Sequence, residues 1–504
     1  MKLLTKRSIA SLVVLANLLL FPGNTFGGSP KREMRGVWLA TVWGIDWPSV
    51  TGTTPSVQAK QKAEMKTILD RCEAMNLTSV FFQVRGMGDV MYESTLEPWS
   101  GFVSGQRGVS PGWDPLRFVT EECHKRGLEC YAWVNPFRWS SGTDYNSVPD
   151  RRWKERGWLL SHGKYTVFNP GLEDVREHLV AICREIVDGY EVDGLVFDDY
   201  FYPNRIPETP AAADYNLWQE QAPWMSFGDW RRANVHKLVA DVHCMLADTH
   251  PDVRFGISPA GVAGKKHTSA IKWGMESCGV KADDWQYGEI YSDPLGWLYQ
   301  RTVDFISPQI YWSTSHSTAP YEPLSQWWSE AARLYGCHFY SSMTLAPLEK
   351  NNSSEQRGEL LRQVETNRRL STTGEFGSVL YSAKFLPKLS GDLARSHFSS
   401  KALTPELRRG EIIMPEAPSG VKMKSGILSW NEKHDTKNII RYAVYAYPAH
   451  FSREDIMDEH GDGIKGEFLV KICYGNSTDV PLGMAYAVTA VSGASIESEP
   501  TFVK

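Results

Sequence analysis

The chain is poor in the features that would place it in several large functional classes. Only eight of its 504 residues are Cys, and they form neither a CxxC pair nor a metal-like cluster. Cys72, Cys123, Cys130, Cys183, Cys244, Cys278, Cys337 and Cys473 stand mostly in apolar helix or strand contexts, which predicts buried free thiols. Cys123 and Cys130 are close enough in sequence to bridge. Basic charge is not in excess. The 54 Lys and Arg face 59 Asp and Glu, and the net charge of −5 leaves no footprint for nucleic acid. Past Phe21 no segment is long and apolar enough to cross a bilayer.

The N-terminus is different. Lys2, Lys6 and Arg7 precede the apolar stretch Ile9 to Phe21, with the small residues Gly27 and Gly28 after it. This pattern predicts a secretory signal over residues 1–28, too short for a standard membrane span. An uncleaved anchor is the alternative. No Cys ends the segment, which disfavours a lipid anchor. The expectation is an exported, periplasmic protein with no membrane span after signal removal.

Aromatic residues are plentiful, with 19 Trp among them. Large aromatics are usually buried, so most are expected in packing. A minority would suit a sugar cleft, where rings stack on the apolar faces of sugars.

From Arg35 to Ser382 short apolar runs alternate with longer amphipathic ones. Eight strands are expected: Gly36–Thr41, Ser79–Val84, Glu129–Asn135, Gly194–Asp199, Arg254–Ser258, Asp304–Tyr311, His338–Leu345 and Ser378–Ser382. Helical stretches lie between them, including Gln58–Met75, Pro115–Arg126, Leu172–Gly189 and Gly228–Thr249. Asp114-Pro115 and Ser226 to Asp229 look like helix starts. Eight alternations argue for an α/β fold, a (β/α)8 TIM barrel over residues 29–410. Long strand-to-helix loops, Trp43–Val57, Gly86–Trp113, Phe137–Pro170 and Tyr202–Phe227, would crowd its catalytic face. Pro415 and Pro418 mark a linker over residues 411–417. Residues 418–504 then alternate like strands at Gly426–Trp430, Arg441–Tyr447, Phe468–Tyr474 and Met484–Val491. Trp430 and Tyr486 resemble the core Trp and tyrosine corner of a small fibronectin type III-like β-sandwich.

The strand ends show what chemistry the barrel could host. Strand 1 is followed by Trp43, Asp46 and Trp47, and strand 2 by Arg85, Asp89, Tyr92, Glu97 and Trp99. Strand 3 ends in Asn135 to Arg138, strand 5 in Ser258-Pro259, strand 6 in Gln309 to Trp312 and strand 8 in Tyr381 to Lys384. Strand 4 is the most informative. Leu195-Val196-Phe197 is a buried run that ends in Asp198-Asp199-Tyr200, and Asp is costly to bury unpaired. These ends carry no His cluster of a zinc hydrolase and no Gly-rich phosphate loop. They carry carboxylates, amides, Arg and rings, the set a glycosidase needs. Strand neighbours face opposite ways, so one Asp would aim into the barrel mouth and the other would pair with Arg138 or brace a loop. Two nearby carboxylates would raise one pKa, which suits an acid/base pair. Strand capping through backbone amides and calcium ligation are the other readings of the pair.

Several runs together carry a family resemblance: Arg35 to Trp38, Ile45 to Pro48, Gln83 to Arg85, Glu97 to Ser100, Ala132 to Pro136, Phe168 to Gly171, Asp193 to Pro203, Asp229 to Arg232, Arg254 to Pro259, Ser307 to Trp312 and Ser382 to Lys384. In this order they resemble the bacterial glycosyl-hydrolase-like family 10. The resemblance implies a TIM barrel, glycoside hydrolase chemistry and export to the bacterial envelope. One member type is a divisome-localised hydrolase of peptidoglycan glycan strands stripped of stem peptides. The implied partner is therefore a glycan, peptidoglycan first, with room for a protein partner in the envelope, and neither cofactor nor metal. Asp193 to Asp198 also looks like the strand-4 segment of α-galactosidase-type barrels, whose final Asp is the nucleophile. That likeness makes Asp198 the nucleophile or charge stabiliser, with Asp199 beside it. Those barrels carry their acid at the end of strand 6, where this chain has Gln309. Glu97 and Asp89 are then the expected acids, and Asp46 the next. Arg85, Asn135, Arg138, Gln309, Tyr311 and Lys384 are expected to position sugars, and Trp43, Tyr200 and Trp312 to supply stacking faces. Hydrolysis of another polysaccharide and a non-catalytic glycan-binding scaffold are the alternatives.

Overall fold

A computed structural model describes residues 30–141, 151–371, 375–407, 409, 413–431, 441–459 and 461–503. The expected signal segment, 1–28, and residues 411–412 of the expected linker lie outside the described residues.

Eight parallel strands close into a barrel. They are β1 (Met34–Leu39), β2 (Ser79–Arg85), β3 (Glu129–Val134), β4 (Gly194–Asp198), β5 (Arg254–Ser258), β6 (Phe305–Ile306), β7 (His338–Thr344) and β8 (Phe376–Tyr381). Each pairs with its sequence neighbours, and β1 pairs with β8. Helices alternate with the strands, including Pro55–Ala74, Pro115–His124, Glu173–Gly189, Phe227–Thr249, Tyr321–Tyr335 and Ser354–Leu370. This is a (β/α)8 TIM barrel. The helix starts follow local chemistry. The Asp114 carboxylate accepts from the Arg117 amide at 3.0 Å, and the Ser226 hydroxyl from the Asp229 amide at 3.1 Å.

Side-chain alternation divides each strand between two cores. Val37 and Leu39, Val80 and Phe82, and Leu195 and Phe197 face outward into the layer beneath the helices. Trp38, Phe81, Tyr131, Trp133, Val196, Phe305, Tyr340 and Val379 face inward and fill the barrel. Two inward glycines make room for rings. A Cβ on Gly194 would come within 2.4 Å of Tyr131, and one on Gly256 within 2.2 Å of Phe305. The Trp content follows the same division: among the described residues only Trp43, Trp224 and Trp285 are exposed.

Two elements differ from the sequence expectation. β6 is two residues long rather than eight, because Pro308 has no amide hydrogen to continue the ladder. The loop after β3 contains a small antiparallel sheet of Arg138–Ser141, Leu159–His162 and Tyr165–Phe168. Its hairpin turns at Gly163, with φ of 58°, a conformation glycine adopts freely.

The C-terminal region forms two antiparallel sheets around a shared core. Ser419–Lys424, Ile427–Asn431 and Ser477–Asp479 make one; Leu469–Cys473, Arg441–Pro448, Met484–Val491 and Thr501–Phe502 make the other. Leu428 and Trp430 pack against Tyr442, Val444, Tyr486 and Val488. This unit docks on the N-terminal end of the barrel. Arg441 pairs with Glu129 of β3 at 2.6 Å, and the Tyr474 hydroxyl donates to Asp193 at 3.0 Å. The Tyr474 ring stacks on His124, with centroids 3.9 Å apart. All described cysteines are free thiols, and only Cys244 is exposed.

Candidate active site

The C-terminal ends of the barrel strands open into a cleft with an empty volume of about 620 Å³. Strand alternation decides which side chains reach it. Val196 faces the barrel interior and Phe197 faces the helices, so Asp198, two residues past Val196, faces inward. The same count brings Trp38, Gln83, Trp133, Asn135, Ser258, Gln309 and Tyr381 to the cleft wall. Trp43, Arg138, Tyr200 and Tyr311 come from the loops above.

Asp198 lies on the floor of this cleft, 7% exposed. Its Oδ1 accepts from Gln309 Nε2 at 3.0 Å and from the Asp199 backbone amide at 2.9 Å. The Asp199 side chain, half-buried, hydrogen-bonds to the Asp198 carboxyl. Burial pushes the Asp198 carboxyl up to about 6, against the bonds from Asp199, the Arg138 charge and the Gln309 amide. Asp199 goes much higher, because burial is joined by the charge of Asp198. Of the two, Asp199 is the carboxyl that keeps its proton to higher pH. Asp198 is the one of the two that lines the cleft, and Asp199 hydrogen-bonds to it from beside. Asp199 follows the last residue of β4, where strand alternation no longer separates neighbours.

Aromatic and amide groups complete the cleft. The Arg138 guanidinium lies 4.1 Å from the Tyr200 ring centroid and 5.6 Å from that of Trp43. Trp43 is 55% exposed and Tyr200 38%, so this stack forms a rim open to solvent. Tyr311 stacks on Tyr381 with centroids 5.7 Å apart. Burial raises both phenols, so they remain hydrogen-bond donors. Trp38 and Trp133 meet edge to face at 4.9 Å in the floor. The Trp133 indole donates to Asn135 Oδ1 at 2.9 Å, and Asn135 Nδ2 donates to the Gly86 carbonyl. Asn135 is thus fixed at both ends of its amide.

The expected acids are placed elsewhere. Glu97 is fully buried in a bidentate pair with Arg85, at 2.7 Å on each oxygen, and meets His178 Nε2 at 3.1 Å. Burial opposes its charge, but Arg85 and His178 outweigh burial and hold the carboxyl down at about 2. Such a group carries no proton to give at neutral pH, which corrects its assignment as the acid. Arg85 is equally committed. Its Nη1 donates to the Asn135 and Pro136 carbonyls at 2.6 and 2.8 Å, so it braces the end of β3 and does not reach a sugar. Asp89 is buried near Arg107 and does not line the cleft, although burial raises it to about 6. Asp46 accepts from the Ala40 amide, the Ser382 hydroxyl and the Lys384 amide at 2.7–2.9 Å, which ties the end of β1 to the end of β8.

Two further positions leave the cleft. Trp312 packs against the outer core beside Gly261, and the exposed Lys384 lays its ammonium over Phe385. Sequence reasoning did not select Trp38, Gln83, Trp133, Ser258 or Tyr381 as site residues. Counting in twos from the inward residues of each strand would have found all five.

Comparison with known proteins decides the family. The Glycosyl hydrolase-like 10 profile matches residues 33–357, more than half of the chain. The chain belongs to this family. Glycosyl hydrolase YngK of Bacillus subtilis is 33% identical over 438 residues, 82% of each chain. Glycosyl hydrolase DigH of Escherichia coli K12 is 33% identical over 443 residues, 79% of this chain and 98% of DigH. Among solved structures, the glycoside hydrolase domain of PgaB (BpsB) from Bordetella bronchiseptica aligns with a TM-score of 0.44 and 14% identity, over 74% of this chain and all of that domain. The glycosyl hydrolase-like 10 match spans β1 to β7 and therefore includes both Asp198 and Asp199.

Proposed function

We propose that this protein is an exported glycoside hydrolase that cuts peptidoglycan glycan strands, those stripped of stem peptides first. The carrying observation is Asp198 in a cleft of rings and amides, with the Asp199 carboxyl hydrogen-bonded to it. Glycoside cleavage needs a proton for the leaving oxygen and a negative charge beside the anomeric carbon. Asp199 holds the first and Asp198 the second. The Trp43–Arg138–Tyr200 rim offers a platform on which successive sugars can lie, as a strand-shaped substrate requires. Membership in a glycosyl hydrolase-like family supports the reaction class.

Export is supported by the basic start, apolar stretch and small residues of positions 2–28. In the C-terminal unit, the three-plus-four sheet order favours a fibronectin type III-like sandwich. So does the Tyr486 hydroxyl, which donates to the Pro481 carbonyl five residues upstream. Docked at the far end of the barrel from the cleft, this sandwich acts as a brace.

A digest of purified glycan strands, intact and peptide-stripped, read by mass spectrometry, tests the proposal. Fragments from the stripped strands are expected. A digest that leaves both substrates whole would reject it.

A further inference from the structure

Glycosidases that use two carboxylates hold them about 5 Å or more apart, on opposite sides of the scissile bond. This cleft is arranged differently. The Asp198 and Asp199 carboxyls hydrogen-bond to each other, so both stand on one side. Among the described residues Asp198 is the one carboxylate that lines the cleft, and Asp199 stands behind it, hydrogen-bonded to its carboxyl. Glu97 is locked to Arg85, and Asp46 is spent on three donors of the barrel rim. The rest of the wall is phenol, amide and ring. No described protein group is therefore placed to attack the anomeric carbon from the face opposite the acid.

The floor beside Asp198 suggests where that attack comes from. Trp38, Ala40 and Trp133 give an apolar surface next to the Asp198 carboxylate, whose bond to the Asp199 side chain a ligand donor can replace. A methyl group, an N–H and a carbonyl oxygen in sequence fit such a place. These are the parts of a 2-acetamido substituent.

Resting on the glycosidase reading above, we propose that the substrate's own 2-acetamido group is the nucleophile: the cleft takes a 2-acetamido sugar, Asp198 holds its amide N–H, and Asp199 protonates the leaving oxygen.

On binding, the sugar N–H replaces the Asp199 O–H at Asp198 and frees that proton. Asp199 gives it to the glycosidic oxygen as the C1–O bond breaks. The amide carbonyl oxygen bonds to C1 from the other face while the amide proton moves to Asp198, leaving a neutral oxazoline. Water then attacks C1 and its proton goes to Asp199. The oxazoline C1–O bond breaks and the proton on Asp198 returns to nitrogen. The product keeps its anomeric configuration, and both carboxyls return to their starting states.

The test compares wild-type cleavage of peptide-stripped peptidoglycan strands carrying native N-acetyl groups with the same strands carrying N-trifluoroacetyl groups. The fluorinated amide keeps its N–H and nearly its size, but its carbonyl oxygen is a poor nucleophile. A rate about 100-fold lower on the fluorinated strands is expected, within the range of a lost chemical participant. Comparable rates on the two would overturn the inference and leave the glycosidase reading standing. No cleavage of native strands would remove that reading and this inference with it.

Discussion

Gln309 donates from Nε2 to Oδ1 of Asp198 at 3.0 Å, across the barrel mouth from the end of β6 to the end of β4. The same nitrogen meets the Ser258 carbonyl at 3.2 Å, which fixes its direction. A donor aimed at a carboxylate favours its charged form. Gln309 is therefore a positioning residue that holds Asp198 ionised.

Gln309→Ala should move the acid limb of the kcat/KM profile upward from its wild-type position near pH 6. The wild-type limb belongs to the Asp198–Asp199 pair as a unit. Activity rises as Asp198 loses its proton and falls when Asp199 loses the second. A profile measured from pH 4 to pH 10 checks this. An unshifted acid limb in the variant would show that Gln309 does not control the charge on Asp198.

Asp198→Asn should stabilise the fold at alkaline pH. The folded pKa of Asp198 is raised, so its contribution to stability is full below the unfolded value, near 4, and is lost as pH rises through about 6. Replacing it with a neutral isostere removes that loss, worth on the order of 1 kcal/mol or more. The gain in melting temperature should be larger at pH 8 than at pH 4. An equal gain at both would mean the charge is not the cause.

Glu97 titrates in the opposite sense. Its pKa is depressed to about 2, so its stabilisation is present above the unfolded value and lost as pH falls toward 2. Glu97→Gln leaves the Arg85 charge buried without its partner and should cost about 3–5 kcal/mol in denaturant unfolding near neutral pH. A loss of activity with stability intact would instead return Glu97 to the chemistry.

Arg441 links the C-terminal unit to Glu129 at the far end of the barrel. Arg441→Ala should lower stability by about 3 kcal/mol or more. Below its melting range the variant should keep wild-type kcat and KM, because the contact lies opposite the cleft. A raised KM with normal stability would assign that unit a part in holding the glycan.

The barrel was legible in the sequence because its strands repeat one pattern: short runs rich in apolar, aromatic or β-branched residues, alternating with longer amphipathic stretches. β1 to β5, β7 and β8 each overlap an expected strand closely, and β6 is shorter because of Pro308. Asp198 was legible for the same reason, as the acidic end of a buried run. Glu97 and Arg85 were misjudged because a sequence shows that charges exist near a strand end but not that they neutralise each other beneath it. That the adjacent carboxylates Asp198 and Asp199 would raise one pKa was legible too, while which of them lines the cleft needed the register of β4. The Trp43–Arg138–Tyr200 stack joins loops far apart in sequence, and only their folded positions bring the three together.

The most direct test of the Asp198–Asp199 pair is the initial rate of glycan-strand cleavage by wild type, Asp198→Asn and Asp199→Asn, each confirmed folded by its melting curve. Both variants should lose at least about 100-fold, since each removes a group that acts on the reacting bond. Wild-type rates in either folded variant would contradict the account.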